Sequence, residues 1–181
     1  MGEHSKRDAF IREVYQPFYQ DVYQFCLYFT NHEEEAKDLT QETFIKALKN
    51  IDKFQGRSST KTWIISIARN TTIDHHRKKK FQRLLPHKWA KEQITSTSSS
   101  DYKVENQGDW EVLQKSLVKL KSDYRQVVIL RALKDFSVKE TAEILGWSES
   151  KVRVSYHRAL KEMRKTVGLD SEGVVFYEEA E

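Results

Sequence analysis

Residues 136–165 read FSVKETAEILGWSESKVRVSYHRALKEMRK, and this stretch decides the fold. It parses as two short helices joined by a tight turn. Ala142 is small enough for the second helix to cross closely over the first. Gly146 ends the first helix with the backbone freedom that a sharp turn requires. Ser148 is placed to cap the second helix. Val152, Tyr156, Ala159, Leu160 and Met163 recur at helical spacing and are expected to face inward. The opposite side carries Lys151, Arg153, His157, Arg158, Lys161 and Arg164. A polar, basic outer face on the second helix of a helix-turn-helix suits the DNA major groove. A helical hairpin with a merely solvated basic face is the plainer alternative.

Outward from this motif, charge is unevenly spread. The chain has 181 residues, 32% of them charged, and a net charge of +4. Residues 53–91 hold eleven Lys or Arg against one acid, Asp74. Residues 31–42 hold five acids and one Lys, and residues 167–181 hold five acids and no base. A clustered basic segment suits a phosphate backbone. Two prolines and six glycines argue for helices rather than many turns. The single cysteine, Cys26, sits in VYQFCLYF and reads as a buried thiol; it excludes an internal disulfide and a cysteine zinc site. Asp74, His75, His76 and His87 are poorly spaced for a metal, because adjacent histidines point to different sides of a helix. No metal or cofactor is expected. No apolar run approaches the ~18 to 20 residues that span a bilayer. MGEHSKRDAF lacks the apolar run of a secretory signal, so the expected location is cytoplasmic.

The predicted architecture is all-α: two small helical domains joined by a flexible linker, the second a helix-turn-helix. Residues 8–30 read as an aromatic-rich amphipathic helix interrupted near Pro17, with Phe10, Val14, Phe18, Val22, Phe25 and Phe29 inward. From Asn31, HEEEAKDLTQETFIKALKNI places acids in the first turns, where the helix dipole favours them. Ala36, Leu39, Phe44, Ala47, Leu48 and Ile51 form its apolar face. FQGRSST (54–60) reads as a loop, and a helix follows from Thr62 to about Lys80. Residues 86–109 are polar, Ser/Thr-rich and aperiodic, as in a linker. Helical pattern resumes at Trp110 with Val112, Leu113, Leu117 and Leu120, and again in DYRQVVILRALKD. The predicted divisions are 1–85, 86–109, 110–168 and an acidic tail, 169–181.

Four stretches in series resemble a known family. KDLTQETFIKALKNIDKF, FQGRSSTKTWIISIARNTTIDHHRKKK, LVKLKSDYRQVVILRALKDFSVKETAEILGWSES and SKVRVSYHRALKEMRK are similar to parts of a bacterial sigma factor of the extracytoplasmic-function (ECF) group, within the sigma-70 family. The resemblance implies a two-domain protein that binds core RNA polymerase and promoter DNA and directs −10 melting and transcription initiation. It implies no catalytic residue, no enzyme activity and no small-molecule substrate. It places polymerase binding on Asp38, Gln41, Glu42 and Phe44, and helical spacing adds Ile45, which shares a face with Asp38 and Gln41. Contact with the −10 element falls to Arg57, Ser58, Ser59, Thr60, Lys61, Arg69, Asn70, Arg77, Lys78, Lys79 and Lys80. There the Ser/Thr loop receives a base flipped from the non-template strand, and the Lys run tracks phosphates. Trp63 precedes an apolar run and reads as core rather than as a stacking platform. Contact with the −35 element falls to Ser148, Ser150, Lys151, Arg153, His157, Arg158 and Lys161. The family also implies an anti-sigma protein, often membrane-anchored.

Two other readings compete. A stand-alone helix-turn-helix regulator would share residues 110–168, but would not need a basic helix after a Ser/Thr loop at 53–80. A small nuclease using Asp74, His75 and His76 lacks a second carboxylate cluster and any Gly-rich phosphate loop. A further expectation is that the two domains are loosely tethered in free protein and become fixed on polymerase.

Overall fold

The computed structural model describes residues 3–84 and 107–167, all of whose regular structure is helical. Leu85, His87, most of the expected linker and the acidic tail lie outside the described residues. In the N-terminal unit, α1 (Glu3–Phe10) runs into a π turn (Ile11–Tyr15) and then α2 (Gln16–Thr30). The backbone stays right-handed helical on both sides, at Phe10 (φ −58, ψ −42) and Gln16 (φ −60, ψ −48). The interruption expected at Pro17 is therefore a widening of the helix, not a break. Pro17 sits in the first turn of α2. It has no N–H to close a regular bond, and the wider turn precedes it directly.

Asn31, in the left-handed region at φ 54, ends α2, its N–H bonding Leu27 O at 2.8 Å. After a two-residue link, α3 (Glu33–Asn50) is capped by His32, whose Nδ1 accepts from the Glu35 N–H at 3.3 Å. Glu33, Glu34 and Glu35 fill the first turn, at the positive end of the helix dipole. A short 3-10 turn (Ile51–Lys53) and a loop lead to α4 (Thr60–Leu84), longer at both ends than its apolar pattern indicated. Ser59 Oγ caps α4 by accepting from the Thr62 N–H at 3.0 Å. Val22, Phe25, Phe29, Leu39, Ile64 and Ile65 are almost wholly buried where α2, α3 and α4 meet. Each such side chain contributes ~1.5–3 kcal/mol of transfer free energy. Cys26 is fully buried here beside Thr72 Oγ1 at 3.7 Å, and burial pushes its thiol up to about 11.

The C-terminal unit comprises α5 (Gln107–Lys119), α6 (Ser122–Val128) continuing as a π turn (Ile129–Leu133), α7 (Val138–Leu145) and α8 (Glu149–Val167). Helix α5 begins three residues before Trp110, inside the expected linker. Leu117 and Leu120 are buried as their spacing predicts, but Val112 is exposed. Ser137 and Glu140 form a reciprocal capping box at the start of α7. Gly146, at φ 66, ends it with the left-handed turn, and Ser148 Oγ accepts from the Lys151 N–H at 3.2 Å to start α8. Ala142, Val152, Ala159 and Met163 are all buried.

The two units are not loosely tethered. They pack, and the contact is polar as well as apolar. Arg125 of α6 is 8% exposed. It donates from Nε to Leu117 O at 2.8 Å, from Nη2 to Leu120 O at 3.3 Å and to Val118 O, and from Nη1 across to Phe29 O at 2.8 Å. Its guanidinium also lies 5.0 Å from the centre of the Phe29 ring. Lys134, with a side chain 6% exposed, pairs with Asp21 and donates to Gln24 Oε1 at 2.8 Å. The Tyr28 and Trp110 rings meet at 5.2 Å, and α7 lies along α4. Burial raises the Asp21 carboxyl, but Lys134 and then Lys61 outweigh it and hold the group below its ordinary value.

Candidate nucleic-acid and polymerase surfaces

On α3 the residues assigned to polymerase divide. Asp38, Gln41, Glu42 and Ile45 are exposed, and Ile45 keeps 54% of its surface in water. Asp38, Gln41 and Ile45 share one face, at three- and four-residue spacing. Glu42 pairs along the helix with Lys46 at 2.7 Å. Phe44 does not belong to this face. It is 4% exposed, 4.8 Å edge-on to Tyr15 and 6.3 Å from Tyr19 in a stacked arrangement. Its removal from the docking set follows from geometry: Phe44 lies six residues past Asp38, ~240° round the helix.

The loop before α4 forms an open hollow of about 160 Å³ lined by Lys53, Phe54, Gln55, Arg57, Ser58 and Trp63. Phe54 and Trp63 are 4.8 Å apart and tilted by 32°. Trp63 is partly buried against the core, as its sequence context indicated, and its remaining surface lines the hollow. Arg57 and Ser58 reach the hollow; Ser59 and Thr60 do not line it. The Ser59 hydroxyl is occupied by capping and by Thr62 Oγ1 at 2.9 Å. The residues assigned from the loop at 54–60 began at Arg57 and left out Phe54, which lines the hollow; two aromatics flanking a Ser/Arg loop were the available signal.

Along α4 several assigned cations are already partnered inside the chain. Lys61 pairs with Asp21 at 3.3 Å and lies 5.4 Å from the centre of the Phe136 ring of the C-terminal unit. Arg69 donates from Nε to Gln126 Oε1 of α6 at 2.7 Å and from Nη1 to Asn70 Oδ1 at 2.9 Å. Burial lowers the Arg69 guanidinium from its ordinary value. Lys79 pairs with Glu35 of α3, so it does not project freely with its neighbours. Burial raises Glu35, but Lys79, assisted by His75 and His32, outweighs it and keeps the carboxyl below its usual value. Asn70, Arg77, Lys78 and Lys80 are exposed.

Helix α8 is different. Ser148, Ser150, Lys151, Arg153, His157, Arg158 and Lys161 are all exposed and lie on one continuous outer surface. Arg153 is held by Glu149 one turn earlier at 3.2 Å, and Lys151 Nζ sits 3.9 Å from the centre of the Trp147 ring. These contacts fix two flanking cations without burying them.

Comparison with known proteins matches the two helical units separately. Residues 14–82 match the family model for sigma-70 region 2, and residues 110–163 match that for sigma-70 region 4. The chain is 38% identical over 172 residues to RNA polymerase sigma factor YlaC of Bacillus subtilis (strain 168), covering 89% of this chain and 93% of that protein. It is 37% identical over 161 residues to ECF RNA polymerase sigma factor SigX of the same organism, covering 86% and 82%. In fold it is similar to the sigma factor RpoE solved with the anti-sigma factor NepR from Bartonella quintana, with TM-score 0.72, 22% identity, and 90% of this chain and 99% of that one covered. A match to region 2 through the N-terminal helices is what a stand-alone helix-turn-helix regulator would lack. The chain belongs to the sigma-70 family of RNA polymerase sigma factors, within the ECF group.

Proposed function

We propose that this sigma factor divides its work between its two units. Residues 1–85 dock on core polymerase through the α3 face of Asp38, Gln41, Glu42 and Ile45 and engage the −10 element through the α4 hollow and the outer face of α4. Residues 110–168 read the −35 element through α8. One observation carries this division: two long helices, α4 and α8, each expose cations, and they belong to separately matched units. In the hollow, the Phe54 and Trp63 rings offer stacking surface to an unpaired base, and Ser58 and Arg57 supply polar partners. No covalent bond is made or broken; binding energy alone does the work.

The packed arrangement has to open. Elements centred about 25 base pairs apart lie ~85 Å apart along B-DNA, at 3.4 Å per step. A compact body of roughly 150 residues has a radius of gyration of only ~15 Å. The α2 and α4 contacts with α5, α6 and α7 must therefore be exchanged for contacts on polymerase, releasing Lys61 and Arg69 for DNA. An anti-sigma protein, of the kind bound to the Bartonella sigma factor, fits as the partner that holds the factor away from polymerase. Among the described residues no helix is long and apolar enough to cross a membrane, and the work proposed belongs where polymerase and chromosome are, in the cytoplasm.

The test is run-off transcription by bacterial core polymerase on a library of random promoter DNA, with and without the full chain. Transcripts that start downstream of two spaced motifs only when the chain is added support the proposal. DNA binding with no directed initiation overturns it.

A further inference from the structure

Val154 lies on the outer side of α8. It is 49% exposed on α8, whereas Val152, Ala159 and Met163 of the same helix are buried. At ~100° per residue it lies about 160° from Val152, near the middle of the outer face. Ser150, Arg158 and Lys161 fall within ~40° of it, and His157 within ~60°. All four are exposed. A β-branched residue there is a poor choice for the helix alone, since it loses rotamer freedom and leaves hydrocarbon in water. None of the residues packed beneath α8 compensates, because Val154 points away from them. The flanking cations, Lys151 and Arg153, are steadied by Trp147 and Glu149. The side chains that can enter a groove most deeply are therefore Ser150, Val154, His157, Arg158 and Lys161.

The major-groove edges of the four bases present donors and acceptors, with one hydrocarbon exception, the C5 methyl group of thymine. We infer that Val154 is a specificity-determining residue of the −35 contact and packs against a thymine methyl group, with Ser150 and His157 supplying polar contacts to neighbouring bases. This rests on the proposed role of α8 and goes beyond it by naming the base and the residue that selects it.

The experiment uses holoenzyme assembled from core polymerase and the full chain, on a promoter obtained by the run-off selection above. Each thymine of the −35 element, on either strand, is replaced singly by deoxyuridine, which lacks only the methyl group. Half-saturation for open-complex formation is then measured. One substitution is expected to weaken wild-type holoenzyme about fourfold, the equivalent of one lost methyl contact. Val154→Ala, a better helix former, is expected to bind thymine and deoxyuridine at that position equally. Val112→Ala, which alters an exposed valine on α5, should retain the fourfold difference. A −35 element without A·T pairs, insensitivity to every deoxyuridine, or a Val154→Ala protein that still distinguishes the two bases would overturn the assignment. Failure of wild-type holoenzyme to initiate anywhere would instead overturn the underlying reading of α8.

Discussion

Helices α4 and α8 are built alike and sit differently. Both bury an apolar stripe and turn cations outward. On α4, Lys61 and Arg69 are held at the seam with the other unit and Lys79 is held by Glu35, whereas the cations of α8 stand at an open surface. The difference shows that the presence of a basic helix face says little about its readiness. What matters is which cations the rest of the chain already satisfies. In free protein the cations of α8 stand open to solvent, and those of α4 are partly engaged within the chain.

That contrast can be broken at the seam. Arg125→Ala is expected to have the largest effect, a loss of about 3 kcal/mol in chemical denaturation, because the carbonyls of Leu117, Leu120 and Phe29 all lose the guanidinium as a donor in a buried setting. Lys134→Met should cost about 2 kcal/mol and leave Asp21 facing burial with only Lys61 to oppose it. Its pH signature is specific. In wild type, the lowered Asp21 pKa contributes stability that is present above the ordinary carboxylate value of 3.8 and is lost as pH falls through the folded value. The substitution raises the folded value, so acid separation of the units, followed by energy transfer between labels on α3 and α8, should begin at higher pH.

Two changes on the open side sharpen the comparison. Gly146→Ala forces a side chain into the left-handed turn at φ 66 and should cost about 1 kcal/mol. It should weaken −35 binding while leaving −10 contacts intact, as read by footprinting. The smallest effect is ionic. Lys161→Ala should lower the slope of log affinity against log salt by about one unit, and Lys79→Ala by distinctly less, because Glu35 already neutralises that charge. Equal slopes for the two variants would remove the proposed distinction between the helices.

The helix-turn-helix was legible because its rules are local. Ala142, Gly146, Ser148 and Val152 act on neighbours a turn away, and the sequence lists neighbours. The apolar faces of α2 and α3 were legible for the same reason, and Phe44 was already among the inward residues of α3. Its assignment to the docking face came from family resemblance, which helical angle contradicts. Pro17 marked the right place but not the outcome, since a π turn absorbs a proline without ending the helix. The seam was not legible at all. Arg69 meets Gln126 across 57 residues, Arg125 meets Phe29 across 96, and Lys134 meets Gln24 across 110. No periodicity encodes such pairings. The one hint, Arg125 and Gln126 directly before a run of aliphatic residues, gave no partner.

Cys26 gives the molecule a native clock. It is the sole cysteine of the chain, fully buried, with its thiol pushed up to about 11. Its neighbours, Thr40 and Thr72, come from α3 and α4, not from the C-terminal unit. Separation of the two units is expected to leave this site sealed, so that parting of α2, α3 and α4 is what admits an alkylating reagent. The rate of thiol modification thus counts unfolding of the N-terminal bundle while staying silent to opening of the seam. Without any added label, the two motions of this protein can be timed apart.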